Sequence, residues 1–483
     1  MTIKKFDLET LNGFNGFKII GTGSDGLGYS VSGSTNFNGD SFGDIIISAI
    51  NANQAYVLFG NKTLFPTTFQ LSNIDGTNGF AITTNMPRSN LGMSTAGSCD
   101  FNSDGYQDVL IGAPNVNISE VLPYAGQAYV IFGHKAPFKP VLNLKDLDGS
   151  NGFTINGLYP FSYAGTSVAC LGDVNNDGNP DIAIGAPGVN NKAGVSYVIF
   201  GTKQPMPAAF DLSTLNGANG VTLIDPSFNE LSGTVVAGVG DINNDGIKDI
   251  GIGAPQVSDA GFVYVLFGNN TLPASINFND LNGNNGFRIV ADKQGFGGSI
   301  SSAGDINMDE ITDLVIGSRH CSGDDTCSSR ANILFGSTNF TSEIKIDSAP
   351  GFSLYASRGS VDMGFSVSNI QNFLGNNKSS IMTCDEGVKS LRYPEVKNCV
   401  MLHQNPTYSG DIDIDNTNFG VIYFYSSSIS SKGNSIAISN IGDFNGDNIT
   451  DLAIGTGSCD SCNDQAFVVF GNPFYNASYV DEI

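Results

Sequence analysis

The chain has 483 residues and a formal net charge of −24, with 60 glycines and no tryptophan. So acidic a chain is a poor partner for nucleic acid, because phosphate backbones are bound by basic surfaces. No apolar run has the length that a membrane-spanning helix requires, so we expect no membrane insertion.

The chain opens with a motif that recurs along it. Leu11 to Phe17 reads Leu-Asn-Gly-x-Asn-Gly-Phe, and the clearest later copy is Leu281 to Phe287. Each copy leads into a short apolar run with strand character. No copy follows Gly471 near the C-terminus, so the last repeat lacks this strand. We therefore expect residues 1–21 to complete the last repeat.

Acidic loops follow at regular intervals. A weak copy begins at Asn36, and five full copies of Asp-x-Asn-x-Asp-x-x-x-Asp begin at Asp100, Asp173, Asp241, Asp305 and Asp443. Carboxylates and amides at alternate positions bring hard oxygen ligands together, as Ca²⁺ requires. A helix-loop-helix calcium site would need glutamate at the twelfth position, where this chain has isoleucine. The loops are therefore predicted to lie in β-hairpins.

Two apolar runs follow each loop, and the second ends in Phe-Gly. These glycines are Gly60, Gly133, Gly201, Gly268, Gly336 and Gly471. The first five are 73, 68, 67 and 68 residues apart, and the last interval of 135 residues equals two periods. A degenerate repeat is therefore predicted at about 337–404, with Leu402-His403 in place of Phe-Gly and no acids in its loop near Asn369 to Ser379. The chain has seven repeats.

Each repeat carries about four strand signals and no helical apolar stripe. Four strands per unit and a period of several tens of residues are typical of propeller blades. We predict one all-β domain over residues 1–483, a seven-bladed β-propeller of four-stranded antiparallel blades. The N-terminal strand joins the last blade and closes the ring, and residues 472–483 form a tail.

These motifs carry a family resemblance. The endings Phe-Gly and Gly-Ala-Pro, with the acidic loops between them, resemble the FG-GAP repeat of the integrin α-subunit head over about residues 6–471. The resemblance implies calcium in the hairpin between the first two strands of a blade, on the lower face. It also implies that partners are contacted from the upper face. Where integrin heads can carry an inserted domain, this chain has only the linker His134 to Leu144. No leg domains, membrane span or cytoplasmic tail follow the propeller in this sequence, so we expect a free-standing head.

The predicted calcium ligands are the first, third, fifth, seventh and ninth residues of each loop. They hold 17 of the 46 acidic residues, so five to six structural Ca²⁺ ions would offset much of the negative charge. By loop they are Asn36, Asn38, Asp40, Phe42 and Asp44; Asp100, Asn102, Asp104, Tyr106 and Asp108; Asp173, Asn175, Asp177, Asn179 and Asp181; Asp241, Asn243, Asp245, Ile247 and Asp249; Asp305, Asn307, Asp309, Ile311 and Asp313; and Asp443, Asn445, Asp447, Ile449 and Asp451.

Six of the eight cysteines form short local pairs in the predicted loops between second and third strands: Cys321 with Cys327, Cys384 with Cys399, and Cys459 with Cys462. Such pairs favour disulfides and an oxidising compartment, and the alternative is a reduced redox or metal pair at Cys459 and Cys462. Cys99 and Cys170 are interpreted as buried thiols or as a bridge between adjacent blades.

We expect an extracellular or cell-surface location from the cysteines and the calcium loops, although Met1 to Phe6 is too polar to begin a secretion signal. The candidate partner-binding residues of the upper face are Arg319, Arg358, Arg392 and Tyr393, because aromatic and arginine side chains dominate protein hot spots. The same loops are predicted to carry Tyr124, Phe161, Tyr163, Phe228, Phe296 and Arg330.

Two binding functions follow from this reading. The first is an integrin-α-like propeller for cell adhesion or for recognition of a protein ligand or receptor. The second is a calcium-dependent lectin that binds glycans, although no loop aromatic recurs from blade to blade. His134, His320 and His403 have no motif partner, and no nucleophile or phosphate-loop motif is present. We therefore expect no enzymatic activity, with an unmarked upper-face cleft as the remaining enzyme hypothesis.

Overall fold

The computed structural model describes residues 4–255, 261–291, 295–318, 330–355, 363–384, 399–414, 421–425, 436–457 and 465–476. The strands form seven sheets. The innermost strand of each sheet contacts the innermost strands of both neighbouring sheets, so the sheets stand as blades around a closed ring. This confirms the predicted all-β, seven-bladed propeller.

Four antiparallel strands build each blade from the axis outward, and we number the blades by their innermost strands. The first strands are Leu27–Ser34, Thr95–Cys99, Ser167–Gly172, Val235–Gly240, Phe296–Gly304, Ser366–Gln371 and Ala437–Asn440. The second strands are Asp44–Ala49, Asp108–Ala113, Asp181–Ala186, Asp249–Ala254, Asp313–Ser318, Ser379–Cys384 and Leu452–Gly455. Nearly all second-strand residues are buried, because both faces of the strand pack against neighbouring blades. This explains their continuous apolar runs.

The third strands are Gln54–Phe59, Gln127–Ile131, Val195–Ile199, Gly261–Leu266, Ala331–Leu334, Cys399–His403 and Gln465–Val469. The fourth strands of blades one to seven are Gly79–Thr83, Gly152–Asn156, Gly220–Ile224, Gly286–Ala291, Gly351–Tyr355, Val421–Tyr425 and Gly16–Ile20. The last of these comes from the N-terminus and pairs antiparallel with Gln465–Val469, with Phe17 opposite Val468. The predicted closure of the ring by the N-terminal strand is confirmed.

Each blade also has a fifth, short strand that the sequence did not reveal. It runs parallel to the fourth strand and, in the chain, directly precedes the fourth strand of the following blade. In blade order these strands are Val141–Asn143, Ala209–Phe210, Ser275–Asn277, Glu343–Lys345, Gly410–Asp413, Lys4–Asp7 and Thr68–Gln70. Every blade is thereby hydrogen-bonded to a segment of its neighbour.

A single 3₁₀ turn follows six of these edge strands and buries its first residue. The turns are Leu8–Thr10, Leu71–Asn73, Leu144–Asp146, Leu212–Thr214, Phe278–Asp280 and Ile346–Ser348. Several begin at an Asp or Asn cap, as where the Asn277 side chain accepts a hydrogen bond from the Asn279 N–H at 2.9 Å. The other short helical segments in the described residues are Ile50–Ala52, Val189–Lys192 and Pro473–Asn476.

The core lies between adjacent blades, where apolar side chains of two sheets pack face to face. One such cluster joins Phe101 and Phe153 of blade two to Ile184 and Tyr197 of blade three. The Phe of each Phe-Gly ending is also buried, as at Phe267, except that Phe335 is only partly buried. In the described part of the chain, no helix is long and apolar enough to span a membrane.

Candidate functional site

The acidic loops all connect the first strand of a blade to its second strand, so they share one face of the ring. We call this the lower face and the opposite one the upper face. The connections from second to third strands, and from fourth strands to the next blade, lie on the upper face. The first four predicted ligands of each loop lie in one tight turn, and the fifth stands at the start of the second strand.

The ninth residue of each loop is a fully buried aspartate: Asp44, Asp108, Asp181, Asp249, Asp313 and Asp451. Its two oxygens accept backbone hydrogen bonds from two separate segments. Asp249 Oδ2 accepts from the Ile242 N–H at 2.8 Å, within the loop, and Oδ1 accepts from the Gly268 N–H at 2.9 Å. The same pair of bonds occurs in all six loops. The aspartate therefore ties the loop to the glycine of Phe-Gly.

That glycine is required by close packing. A Cβ on Gly268 would lie 2.3 Å from the Lys248 carbonyl oxygen, and the other Phe-Gly glycines meet a backbone oxygen at 2.2 or 2.3 Å. No side chain can occupy this space without moving the loop. The two sequence motifs, acidic loop and Phe-Gly, are therefore two halves of one structural unit.

The remaining loop residues bond within the turn. Asp241 accepts from the N–H groups of Asp245 and Gly246 at 3.0 and 2.8 Å, and Asp245 accepts from the Ile247 N–H at 2.9 Å. The Asn243 amide donates to Asp245 at 2.8 Å. The first, third and fifth side chains therefore lie around the same small loop.

Carboxyl groups are crowded in these loops, and burial makes the charged form of the ninth residue unfavourable. Burial raises the pKa of Asp44 and Asp108 to about 8, that of Asp181 and Asp249 to about 7, and that of Asp313 to about 6, and the carboxylates of the same loop add to each shift. Among the described residues, no lysine or arginine forms an ion pair with a loop acid.

This donor set suits a hard divalent cation, whose charge would offset the repulsion between the carboxylates. Within the described ranges, no three Asp, Glu, His or Cys side chains come together as a metal site by themselves. A cation here would therefore also need the amide oxygen of the third residue and backbone carbonyls, which are ligands that Ca²⁺ accepts.

Blade six keeps the loop but not the charge. Ser380 lies opposite His403, as Asp44 lies opposite Phe59 in blade one. The counterpart of Phe-Gly is therefore His403-Gln404, one residue later than the predicted Leu402-His403. Ser380 replaces the buried aspartate and contacts His403 Nδ1 at 2.8 Å. Asn372 takes the first position and accepts from the Asn377 N–H at 2.9 Å, so the turn forms without an acid.

Of the predicted cysteine pairs, Cys384 and Cys399 are joined by a disulfide between the second and third strands of blade six. Cys99 and Cys170 carry free thiols, and burial together with the adjacent Cys170 raises the pKa of Cys99. The other candidates, Cys321, Cys327, Cys459 and Cys462, lie outside the described residues.

The four candidate partner residues, Arg319, Arg358, Arg392 and Tyr393, also lie outside the described residues, as does His320. Phe296 is not a loop residue as predicted: it is fully buried at the start of a first strand. Arg330 forms an ion pair with Asp411 at 2.6 Å. Tyr124, Phe161 and Phe228 are exposed on upper-face loops, as expected.

One upper-face cluster escaped the sequence analysis. Asp225 and Glu230 are buried together in the connection from blade three to blade four, and the Tyr264 hydroxyl donates to Glu230 at 2.9 Å. Asp225 Oδ2 has no hydrogen-bond partner, and burial and Glu230 raise the pKa of Asp225 to about 7. No sequence motif marks this pair, because Tyr264 belongs to the next blade.

Comparison with known proteins agrees with the repeat pattern. Residues 91–131 and 164–199 match the family model of the FG-GAP repeat. The chain carries FG-GAP repeats. It is 34% identical over 34% of its length to phosphatidylinositol-glycan-specific phospholipase D of Bos taurus, and 32% identical over 34% to that of Homo sapiens. It is 29% identical over 32% of its length to integrin alpha-4 of Xenopus laevis.

These matches cover 18% of each phospholipase and 14% of the integrin. They support a propeller related to both groups. They also correct one expectation: the prediction that the chain is not an enzyme is wrong, because the phospholipase relatives are enzymes by name. The absence of a catalytic motif from the repeats was not a sufficient ground for that prediction.

Proposed function

We propose that this chain is a calcium-stabilised recognition propeller that binds a protein ligand or receptor through its upper face, in the manner of an adhesion module. The observation that carries the calcium part is the repeated loop, in which a buried aspartate and neighbouring carboxylates share one turn in six blades. Similarity to integrin alpha subunits supports the recognition part.

An extracellular or cell-surface location belongs to the same proposal. The Cys384–Cys399 disulfide is typical of an oxidising compartment. Weak calcium loops would also fill more readily where Ca²⁺ is abundant. Five or six ions per chain would be structural and would not take part in chemistry.

Removal of calcium tests this proposal. Because Ca²⁺ would bind the folded chain and not the unfolded one, EGTA should lower the melting temperature by mass action. Five loops bear three acids each, so at about 2 kcal/mol per site we expect to lose about 10 kcal/mol, which is a drop of about 10 °C for a chain of this size. Metal analysis by mass spectrometry should find five to six calcium ions per chain. An unchanged melt together with no bound calcium would refute the structural role.

A second candidate function is favoured by the phospholipase relatives. We propose that the chain acts on, or as part of an enzyme that acts on, a phosphatidylinositol-glycan by hydrolysing its phosphodiester to phosphatidic acid and a free inositol-glycan. The test is release of the glycan from a radiolabelled phosphatidylinositol-glycan by the purified chain, with heat-inactivated protein as control. No release above that control would show that the chain by itself does not hydrolyse phosphatidylinositol-glycan.

A further inference from the structure

A cluster of exposed apolar side chains lies on the upper face, at blade two and its connection to blade three. In the described residues, four of the large exposed hydrophobic side chains belong to just two connections, 114–126 and 157–166. They are Val121, Tyr124, Tyr159 and Phe161, exposed by 79, 42, 51 and 51%. The Tyr124 and Phe161 rings are stacked with centroids 5.8 Å apart. We call these four residues, three aromatic and one aliphatic, the aromatic platform.

The backbone holds this platform rigidly. Phe161 and Tyr163 donate N–H bonds to the carbonyls of Pro123 and Tyr124 at 2.8 and 3.0 Å, and so the two connections are joined like strands. Tyr124, Phe161 and Tyr163 have φ angles of 48, 57 and 53°, which bulky residues rarely adopt. Strain of this kind persists only where the surroundings fix the conformation, and such places are often ligand sites.

A third connection, 187–194, borders the platform. The Gly188 N–H donates to the Ser162 carbonyl at 3.1 Å, and a Cβ on Gly188 would lie 1.9 Å from the Phe161 carbonyl oxygen. The same connection carries the exposed side chains of Asn190 and Asn191, two and three residues after this close approach. Asn117 is on the same rim, where its Oδ1 accepts from the Tyr124 N–H at 2.8 Å.

Charge distinguishes this surface from the rest of the molecule. The three connections contain one acid, Glu120, and one base, Lys192, so they are neutral on a chain of net charge −24. Flat aromatic faces bordered by amide groups suit a neutral ligand with one apolar face and many hydroxyl groups. Sugar rings have this chemistry, whereas a protein partner selected by charge would require a charged rim.

We propose that the aromatic platform binds the neutral sugar rings of a phosphatidylinositol-glycan headgroup. This rests on the second candidate function and deepens it, since it names the part of the ligand that the propeller holds. The apolar face of a sugar ring lies on Phe161 and Tyr159, and the amides of the rim bond its hydroxyl groups. The platform residues are positioning residues, and no catalytic role is assigned to them.

Binding of the lipid-free glycan tests the proposal. The water-soluble glycan headgroup of a phosphatidylinositol-glycan, prepared without acyl chains, is titrated into the full chain and followed by ligand-observed NMR. Wild type should bind it, and Phe161→Leu should weaken binding about tenfold, because leucine keeps the bulk but loses the flat face. Tyr159→Ser is the second variant, used if Phe161→Leu lowers the melting temperature. Phe14→Leu, at an aromatic that is 77% exposed on the lower face, is the matched control.

Each result decides the matter. No binding of the glycan by wild type, or equal binding by Phe161→Leu and Tyr159→Ser, overturns the proposal. Binding only to vesicles of phosphatidylinositol without glycan also overturns it and points to lipid recognition. Hydrolysis without glycan binding would leave the second candidate function standing and remove this inference. Glycan binding that depends on Phe161, without hydrolysis, would support this inference and show that the chain alone does not hydrolyse the lipid.

Discussion

The buried aspartate at the end of each acidic loop matters for the fold as well as for metal. Asp249 accepts two buried backbone N–H bonds that join the loop to Gly268, and Asp245 in the same loop is exposed. Asp249→Ala leaves two buried donors without acceptors, which costs about 2–4 kcal/mol. Asp245→Ala costs less than about 1 kcal/mol, because water can replace its bonds.

Urea unfolding in EGTA measures this difference without any contribution from calcium. A lower urea midpoint for Asp249→Ala than for Asp245→Ala would show that the ninth residue has a structural role of its own. Equal midpoints would mean that the aspartate serves only the cation.

The Asp225–Glu230 pair predicts a pH dependence on the upper face. The pKa of Asp225 is raised in the folded state to about 7, by burial first and then by Glu230. The folded chain therefore binds this proton more tightly than the unfolded chain does, so the stability from this group is full below about pH 4 and is lost as pH rises through about 7. Asp225→Asn removes the titration and can donate to Glu230.

Melting curves at pH 5 and pH 8, in saturating Ca²⁺, measure this effect. Relative to wild type, Asp225→Asn should become more stable as pH rises. Asp75→Asn, at an exposed acid whose pKa is lowered by its bonds to Thr77, should show no such relative gain. Parallel pH curves for wild type and Asp225→Asn would contradict the raised pKa of Asp225.

At the scale of the secondary-structure element, long and repeated sequence motifs could be predicted, and short segments without a motif could not. Nine-residue acidic loops and continuous second strands repeat often enough that Asp100–Asp108 and its copies could be placed from sequence. The three-residue edge strands, such as Val141–Asn143, have no pattern of their own and form only because the fourth strand of the preceding blade offers a free edge. The Asp225, Glu230 and Tyr264 cluster was equally invisible, since two blades contribute to it.

Blade six shows which part of the acidic loop is needed to form the turn. Its loop keeps the turn with Asn372 in place of aspartate and Ser380 in place of the buried acid. The turn geometry is therefore a property of amide and carboxylate side chains that bond the backbone, and the acids are an addition to it. The one-residue error in placing its Phe-Gly counterpart arose because neither residue of the motif survives there, so only strand register could locate it.

At the scale of the whole molecule, stability depends on closure. The N-terminal segment supplies Gly16–Ile20 to blade seven and Lys4–Asp7 to blade six, and Phe6 and Leu11 are buried in the core between those blades. Deletion of residues 1–21 would expose the edge of Gln465–Val469 and the apolar surface beneath it. We expect such a chain to aggregate, because a free strand edge pairs with other chains.

A circular permutant tests whether the propeller needs these two strands themselves or needs them at the start of the chain. Residues 1–21 are moved behind Ile483 through a flexible linker, so that both strands can still reach their places. Solubility and size-exclusion behaviour should be lost in the deletion and recovered in the permutant, because the propeller needs the strand and not its position at the start of the chain. A soluble, monomeric deletion variant would mean that six complete blades hold the ring without the closing strand. An insoluble permutant beside an insoluble deletion would mean that the order of synthesis is needed for closure.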